Sequence, residues 1–413
     1  MRDLQGFQRI WPVDGIRAPI SVTIHILDSV CHPRRRGVVM HNHIHRNRRA
    51  LAGRVDRLSW RSTALGLLLT MAAVACSGGS TEVQAQHAVI AIYHHVSDST
   101  PRSTSLTAAE LRTQLEYLRD NEFEVWHLDR VIDALQNRED MPERVAVLTF
   151  DDAYESIYTT GLPMLQEFGY PMTLFVSTQP VDDNQNGYLS WEQIREMSDA
   201  GVIIANHLVT HPHMIDALPG ESNAERLQRM RDELLHAQQR IREETGQDHK
   251  IVAYPYGEFD NAITDMVEEL GYVGLAQNSG AVGYHSDFTA LPRFPLAGFY
   301  ADIESASTKL QSLAFEVKVQ APRSPITDSR RPAVTLQLAG DFNVSQLGCY
   351  AGGEPLQLEW IDRDAVHFTI QPAEGQSFDA RRFGYICTAP KRGTNRYYWF
   401  NKFWTRPTPT NAD

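Results

Sequence analysis

Residues 145–152 read Val-Ala-Val-Leu-Thr-Phe-Asp-Asp, an apolar run that stops abruptly at two adjacent carboxylates. A short uninterrupted apolar run bounded by polar residues is typical of a strand buried on both faces, as in a parallel sheet covered by helices. Working outward from it, comparable runs occur at Val89–Tyr93, Glu124–Trp126, Thr173–Val176, Val202–Ala205, Ile251–Ala253, Val273–Ala276 and Leu291–Phe294. Amphipathic helical stretches lie between them. Thr107-Ala108-Ala109-Glu110, Ser190-Trp191-Glu192-Gln193 and Ser222-Asn223-Ala224-Glu225 each fit a capping box, in which a hydroxyl and a side chain three residues on satisfy orphan N–H groups at a helix start. After the first box, Leu111, Leu115 and Leu118 recur at helical spacing and give a core face. Eight short strands with intervening helices predict an α/β fold, an irregular (β/α) barrel. Polar residues stand where several strands stop: His94-His95, Asp151-Asp152, Asn206-His207, Tyr254-Pro255-Tyr256 and Gln277-Asn278. In a barrel such strand ends converge on one face, where catalytic groups are found.

The pattern changes after a loop holding Pro322, Pro325 and Arg330-Arg331-Pro332. Alternating segments at Val334–Leu338, Leu356–Trp360 and Val366–Ile370, with Gly-rich turns and no helical period, predict a small all-β sandwich. The barrel is therefore expected over residues 88–322 and the accessory sandwich over 323–413. Cys349 and Cys387 fall in the sandwich, where they form either a disulfide in an oxidising compartment or two buried thiols. The aromatic tail Tyr397-Tyr398-Trp399-Phe400, with Phe403 and Trp404, reads as core and interdomain packing, or alternatively as a sugar-stacking surface.

At the other end, Ala64–Ala75 (ALGLLLTMAAVA) follows Arg54, Arg57 and Arg61 and leads into Cys76-Ser77-Gly78-Gly79. That layout predicts a secretory signal over residues 51–76, and its apolar run is too short for a stable membrane span. Ala73 and Ala75 before Cys76 resemble a lipoprotein cleavage box, with ordinary cleavage or a retained anchor as the other readings. With Ser77 after the cysteine, the lipoprotein reading implies an outer-membrane anchor facing the periplasm of a Gram-negative cell, and membrane contact through Cys76 alone. Residues 77–87 are then a linker, and residues 1–50, rich in Arg and His without periodicity, a spurious or disordered leader. Residues 77–413 carry 27 basic and 47 acidic side chains, a balance that repels phosphates and argues against nucleic acid as a partner.

The chemistry is concentrated at two strand ends. Adjacent acids such as Asp151 and Asp152 point in different directions from one strand, so one can bind a cation while the other accepts a proton; alone, the pair could equally cap the next helix. His207-Leu208-Val209-Thr210-His211-Pro212 follows another apolar strand, and its four-residue spacing predicts two imidazoles on one side of a helical turn. Two histidines and a carboxylate with open positions for water suit a catalytic Zn²⁺ or a similar divalent ion such as Co²⁺ or Ni²⁺.

The motifs LTFDDAY, NHLVTHP and YPYGEFD, in this order and at these strand ends, resemble those of the NodB-type polysaccharide deacetylases, carbohydrate esterase family 4, over roughly residues 88–300. YHHVSDSTPRSTSLT near the barrel start is similar to the subgroup that includes bacterial poly-N-acetylglucosamine deacetylases. The resemblance implies hydrolysis of N-acetyl groups on an amino-sugar polymer, with Asp151 as general base, Asp152, His207 and His211 as metal ligands, and the Tyr256 N–H as oxyanion donor. Two parts of the family pattern are missing. No late Leu-x-His supplies the general acid, and His94 is either its replacement or a structural histidine. Ala253 stands where relatives have an arginine beside the base; Arg293 could fill that space from another strand end, or else bond a helix or loop carbonyl. His213 is expected to face away from the metal. These gaps leave a second reading, an inactive relative that binds glycan, and a third in which the deacetylase acts on peptidoglycan.

Overall fold

The computed structural model describes residues 86–407. The leader, the signal segment and Cys76 lie outside the described residues. Nine strands form the first sheet system, eight of them in the barrel: β1 (His87–Tyr93), β2 (Glu124–Val125), β3 (Val145–Phe150), β4 (Thr173–Val176), β5 (Ile203–Asn206), β6 (Ile251–Ala253), β7 (Val273–Leu275) and β8 (Phe294–Pro295); the ninth, Val282–Gly283, pairs antiparallel with the start of β1. From β1 through β3, β4, β5, β6 and β7 neighbours pair in parallel. The ring returns through Leu291–Pro295, where Leu291 bridges Leu275 and Phe294 pairs with Ala91 of β1. This is the expected irregular (β/α) barrel. Its irregularity is local: β2 pairs with the first two residues of β3, and β4 with its last two. The last strand is shorter than the sequence pattern: Leu291 forms an isolated bridge, and Pro292 after it has no backbone N–H to add to a ladder.

Period-two alternation sorts β3 between two cores. Ala146, Leu148 and Phe150 pack with Leu111, Leu115 and Leu118 of the helix Ala108–Asp120, while Val145 and Val147 join Ile90, Phe175, Ala205, Ala253 and Leu275. Two further steps along the second face are Thr149 and Asp151, both fully buried. All three capping boxes form, with reciprocal bonds at Thr107/Glu110, Ser190/Gln193 and Ser222/Glu225.

The second unit of structure is a β-sandwich. One sheet orders Leu313–Ala314, Tyr397–Thr405, Arg382–Pro390, Gly348–Ala351 and Glu354–Pro355; the other orders Glu316–Ala321, Val334–Ala339, His367–Gln371 and Gln357–Asp362. Strand pairing thus gives Leu313–Ala321 to the sandwich, ahead of the boundary expected at 322/323. The proline-rich loop that suggested the boundary lies within the sandwich, between its strands Glu316–Ala321 and Val334–Ala339. Cys349 and Cys387 face each other on adjacent strands and are bridged. In the aromatic tail, Tyr398 and Trp404 are buried in the sandwich core, and Trp399 meets Phe294 of β8 edge-on at 5.4 Å. The tail therefore packs the sandwich and seals it to the barrel.

Candidate metal centre and active site

Asp152, His207 and His211 come together at the carboxyl ends of β3 and β5. One ligand atom from each lies within 4.8 Å of the others, and both imidazole Nε2 atoms stand 3.2 Å from Asp152 Oδ1. The two histidines are not joined by a helical turn, as their spacing suggested. They lie in an irregular loop in which Leu208 (φ 67°) and His211 (φ 54°) are left-handed. Glu233 pins that loop by accepting from the Val209 N–H, the Thr210 N–H and the Thr210 hydroxyl at 2.8–2.9 Å. Of nine described non-glycine residues with positive φ, five belong to this region: Asp152, Ala153, Leu208, His211 and Tyr256. Such residues cost about 1–3 kcal/mol each and persist where surroundings over-determine them, commonly at functional sites.

The side chains fit a divalent cation. His207 Nδ1 donates to the Ala253 carbonyl at 2.7 Å, so in the neutral ring the lone pair lies on Nε2, toward Asp152. His207 Nε2 and Asp152 Oδ1 are both buried without a hydrogen-bond partner. Burial alone would lower the His207 pKa, but Asp152 and Asp151 outweigh it and raise it. Burial likewise pushes the Asp152 carboxyl up, and His211 and His207 more than reverse this, holding it well below the usual range. The pocket therefore attracts positive charge, which a metal ion supplies as readily as a proton.

Asp151 is held by Arg293. The guanidinium donates Nη1–H to Oδ1 at 2.7 Å and Nη2–H to Oδ2 at 2.8 Å, while its Nε–H donates to the Ala276 carbonyl at 2.9 Å. Both side chains are fully buried. Arg293 thus gives Asp151 a guanidinium partner that Ala253 cannot supply, and bonds a carbonyl as well. Burial raises the Asp151 carboxyl, but Arg293 and His207 outweigh that and keep it lowered, so it is ionised at neutral pH. Oδ2 lies 3.9 Å from His207 Nε2, placing this carboxylate beside the Asp152–His207–His211 trio.

Residues 138–275 match the family model for polysaccharide deacetylases. The barrel contains a polysaccharide deacetylase domain. Among curated relatives, the chain is 23% identical over 291 residues to a poly-β-1,6-N-acetyl-D-glucosamine N-deacetylase of Escherichia coli, covering 62% of this chain and 42% of that protein. A protein of the same name from Staphylococcus aureus is 22% identical over 211 residues, covering 49% of this chain and 71% of the relative. The chain therefore spans less than half the length of the Escherichia coli relative. Among solved structures, the Streptococcus pyogenes deacetylase PplD in complex with acetate matches 54% of this chain and 98% of its own, at 21% identity and a TM-score of 0.49.

Within the barrel, His94 stands at the end of β1, close enough to Asp152, Asp151, Arg293 and His207 for each to bias its protonation; burial dominates and lowers its pKa. Tyr256 adopts φ 59°, ψ 4°, followed by Gly257 at φ 69°, where a Cβ would fall 2.8 Å from the Gln277 backbone nitrogen. His213 turns from the trio, as expected. Its ring stacks on Tyr256 at 4.0 Å and its Nδ1 bonds Glu258 at 2.9 Å.

Sequence reasoning missed Glu233, Glu258, Arg381 and Arg382. Glu258 lies inside the YPYGEFD motif and could have been flagged there; the arginines are over 120 residues away and carry no local signal. Burial raises the Glu258 carboxyl, but bonds from Arg381 and His213 bring it to about 2, against an ordinary 4.5. Its folded pKa is depressed, so its stabilisation is present above pH 4.5 and is lost as pH falls toward 2. The linkage amounts to about 3 kcal/mol. In urea unfolding, Glu258→Gln should be less stable than the parent at pH 7, and the gap should narrow by about that amount near pH 2.

Proposed function

We propose that this chain removes N-acetyl groups from an N-acetylglucosamine polymer of the cell envelope, using a divalent metal, with zinc as the first candidate and cobalt or nickel as substitutes. The observation that carries this reading is the pairing of a ligand trio having two unsatisfied buried ligand atoms with a neighbouring carboxylate that Arg293 keeps ionised. The relatives' names, which specify β-1,6-linked N-acetylglucosamine, support the choice of polymer.

Held by Asp152, His207 and His211, the cation would polarise the acetamide carbonyl and acidify water beside it. Asp151 takes the proton as water's oxygen bonds to the carbonyl carbon. Arg293 holds both carboxylate oxygens in place, leaving each with lone-pair capacity. The Tyr256 N–H donates to the developing oxyanion. Cleavage of the C–N bond then returns a proton to the leaving amine. His94 is the proposed relay: burial lowers its pKa and keeps it neutral at rest, so it takes up the proton that Asp151 received from water and passes it to the nitrogen as the C–N bond breaks, which returns both side chains to their starting states. Arg293 also removes one of the two grounds for an inactive relative, since the base has its guanidinium partner.

The signal-like segment supports export to the periplasm, and Ala73-Val74-Ala75-Cys76 supports an outer-membrane lipid anchor at Cys76. Mass spectrometry of the mature N-terminus tests both: an N-terminal Cys76 carrying a diacylglyceryl thioether and an N-acyl chain is expected, and an unmodified N-terminus upstream of it would refute them. The activity is tested by acetate release from β-1,6- and β-1,4-linked N-acetylglucosamine oligomers and from peptidoglycan, with added Zn²⁺ or Co²⁺. Release from the β-1,6-linked oligomers is expected. Release from peptidoglycan alone would move the substrate, and release from none would overturn the reading.

A further inference from the structure

The turn that presents the Tyr256 N–H is gripped from the sandwich. Arg382, which opens the strand Arg382–Pro390, donates Nη1–H to the Tyr256 carbonyl at 2.9 Å, and its guanidinium carbon lies 5.5 Å from the Tyr256 ring. Its neighbour Arg381 bonds Glu258 through Nε–H and Nη2–H, both at 2.7 Å, and reaches Asp216 Oδ1 at 3.0 Å. Glu258 is fully buried and also accepts from His213, whose ring lies flat on Tyr256. The Tyr256 ring in turn meets the ligand His211 edge-on at 4.5 Å. Two guanidinium groups 123 and 126 residues downstream of their acceptors therefore reach the Tyr256–Glu258 turn, and Arg381 also reaches Asp216, five residues beyond His211.

This arrangement bears on orientation. Tyr256 is left-handed, a conformation that costs a non-glycine residue roughly 1–2 kcal/mol and needs support from its surroundings. Fixing its carbonyl on one side, at those dihedrals, fixes the direction of its N–H on the other. A charge-assisted bond to a carbonyl is stronger than a neutral one, and Arg presents it in a rigid fork. We infer that the sandwich is a positioning element of the active site: Arg382 sets the Tyr256 backbone, and Arg381 holds the Glu258–His213 pair behind it. The inference rests on the deacetylase reading insofar as Tyr256 N–H serves the oxyanion. It assigns the accessory sandwich a role in turnover.

The test uses the full mature chain. Arg382→Ala should lower kcat for acetate release roughly 10- to 100-fold with KM within about twofold, because the contact acts on orientation rather than on binding. Bound metal per chain should be unchanged. Hydrogen–deuterium exchange at the amides of 254–258 should quicken roughly tenfold while the barrel strands stay protected. Arg382→Lys, which retains a charged donor, should recover part of both losses. Arg392→Ala, at an exposed pair with Asp341, is the control and should match the parent. The inference is overturned if Arg382→Ala matches Arg392→Ala in kcat and exchange, or if its kcat loss follows only the loss of folded protein. Should Arg382→Ala not fold, Arg382→Lys and Arg382→Gln decide by the same readouts. If the parent releases no acetate, the functional reading falls, and exchange at 254–258 alone decides whether Arg382 positions the turn.

Discussion

Asp151→Asn should reduce acetate release roughly 10²- to 10⁴-fold, the usual contribution of a positioned general base, while bound metal per chain stays at the parent level. The substitution keeps the shape of the side chain and an oxygen for Arg293, so the site remains assembled, but the amide cannot take a proton from water. The three ligands are other residues, which is why metal content separates this effect from collapse of the centre. Acetate release at saturating metal, together with metal analysis of the purified variant, checks both halves. A variant retaining more than half the parent rate would place the base elsewhere.

Arg293→Ala should destabilise the barrel by about 3–5 kcal/mol in urea unfolding at pH 7, because it strands a fully buried carboxylate. The direction of the Asp151 pKa should reverse as well: burial already pushes it up, and the largest opposing charge would be gone. The variant should therefore be inactive as well as unstable. The double variant Asp151→Asn/Arg293→Met should recover most of the stability, since replacing both members of a buried pair by uncharged groups of similar size is often close to neutral. A loss below about 1 kcal/mol in Arg293→Ala, or no recovery in the double variant, would show that the pair is not the anchor described here.

Local chemistry made much of this legible in the sequence. A short apolar run such as Val145–Phe150, ending at charged residues, suits a strand covered on both faces, and Thr107/Glu110 or Ser222/Glu225 suit a helix start. The ligand trio was legible because its members sit where such strands end. Spacing alone misled at His207–His211: four residues suggest a helical turn, but Glu233, from the distant helix Asn223–Thr245, imposes an irregular loop that reaches the same result by another route. Arg293 was legible only as a candidate, because nothing local distinguishes a guanidinium that will meet a carboxylate 142 residues away. Arg381 and Arg382 were invisible for the same reason. Their acceptors lie across the contact between sandwich and barrel, and no periodicity in either segment encodes that contact.

Removal of the metal is the most direct measurement of the central claim, that Asp152, His207 and His211 hold a catalytic divalent ion beside Asp151. The parent chain and His207→Ala are stripped with chelator, titrated with Zn²⁺ by calorimetry, and assayed for acetate release from N-acetylglucosamine oligomers at each step. The parent should lose release on stripping, bind one ion per chain and regain release in step with occupancy, while His207→Ala should bind far more weakly and stay inactive. Release that survives stripping, or that is restored equally in His207→Ala, would contradict it.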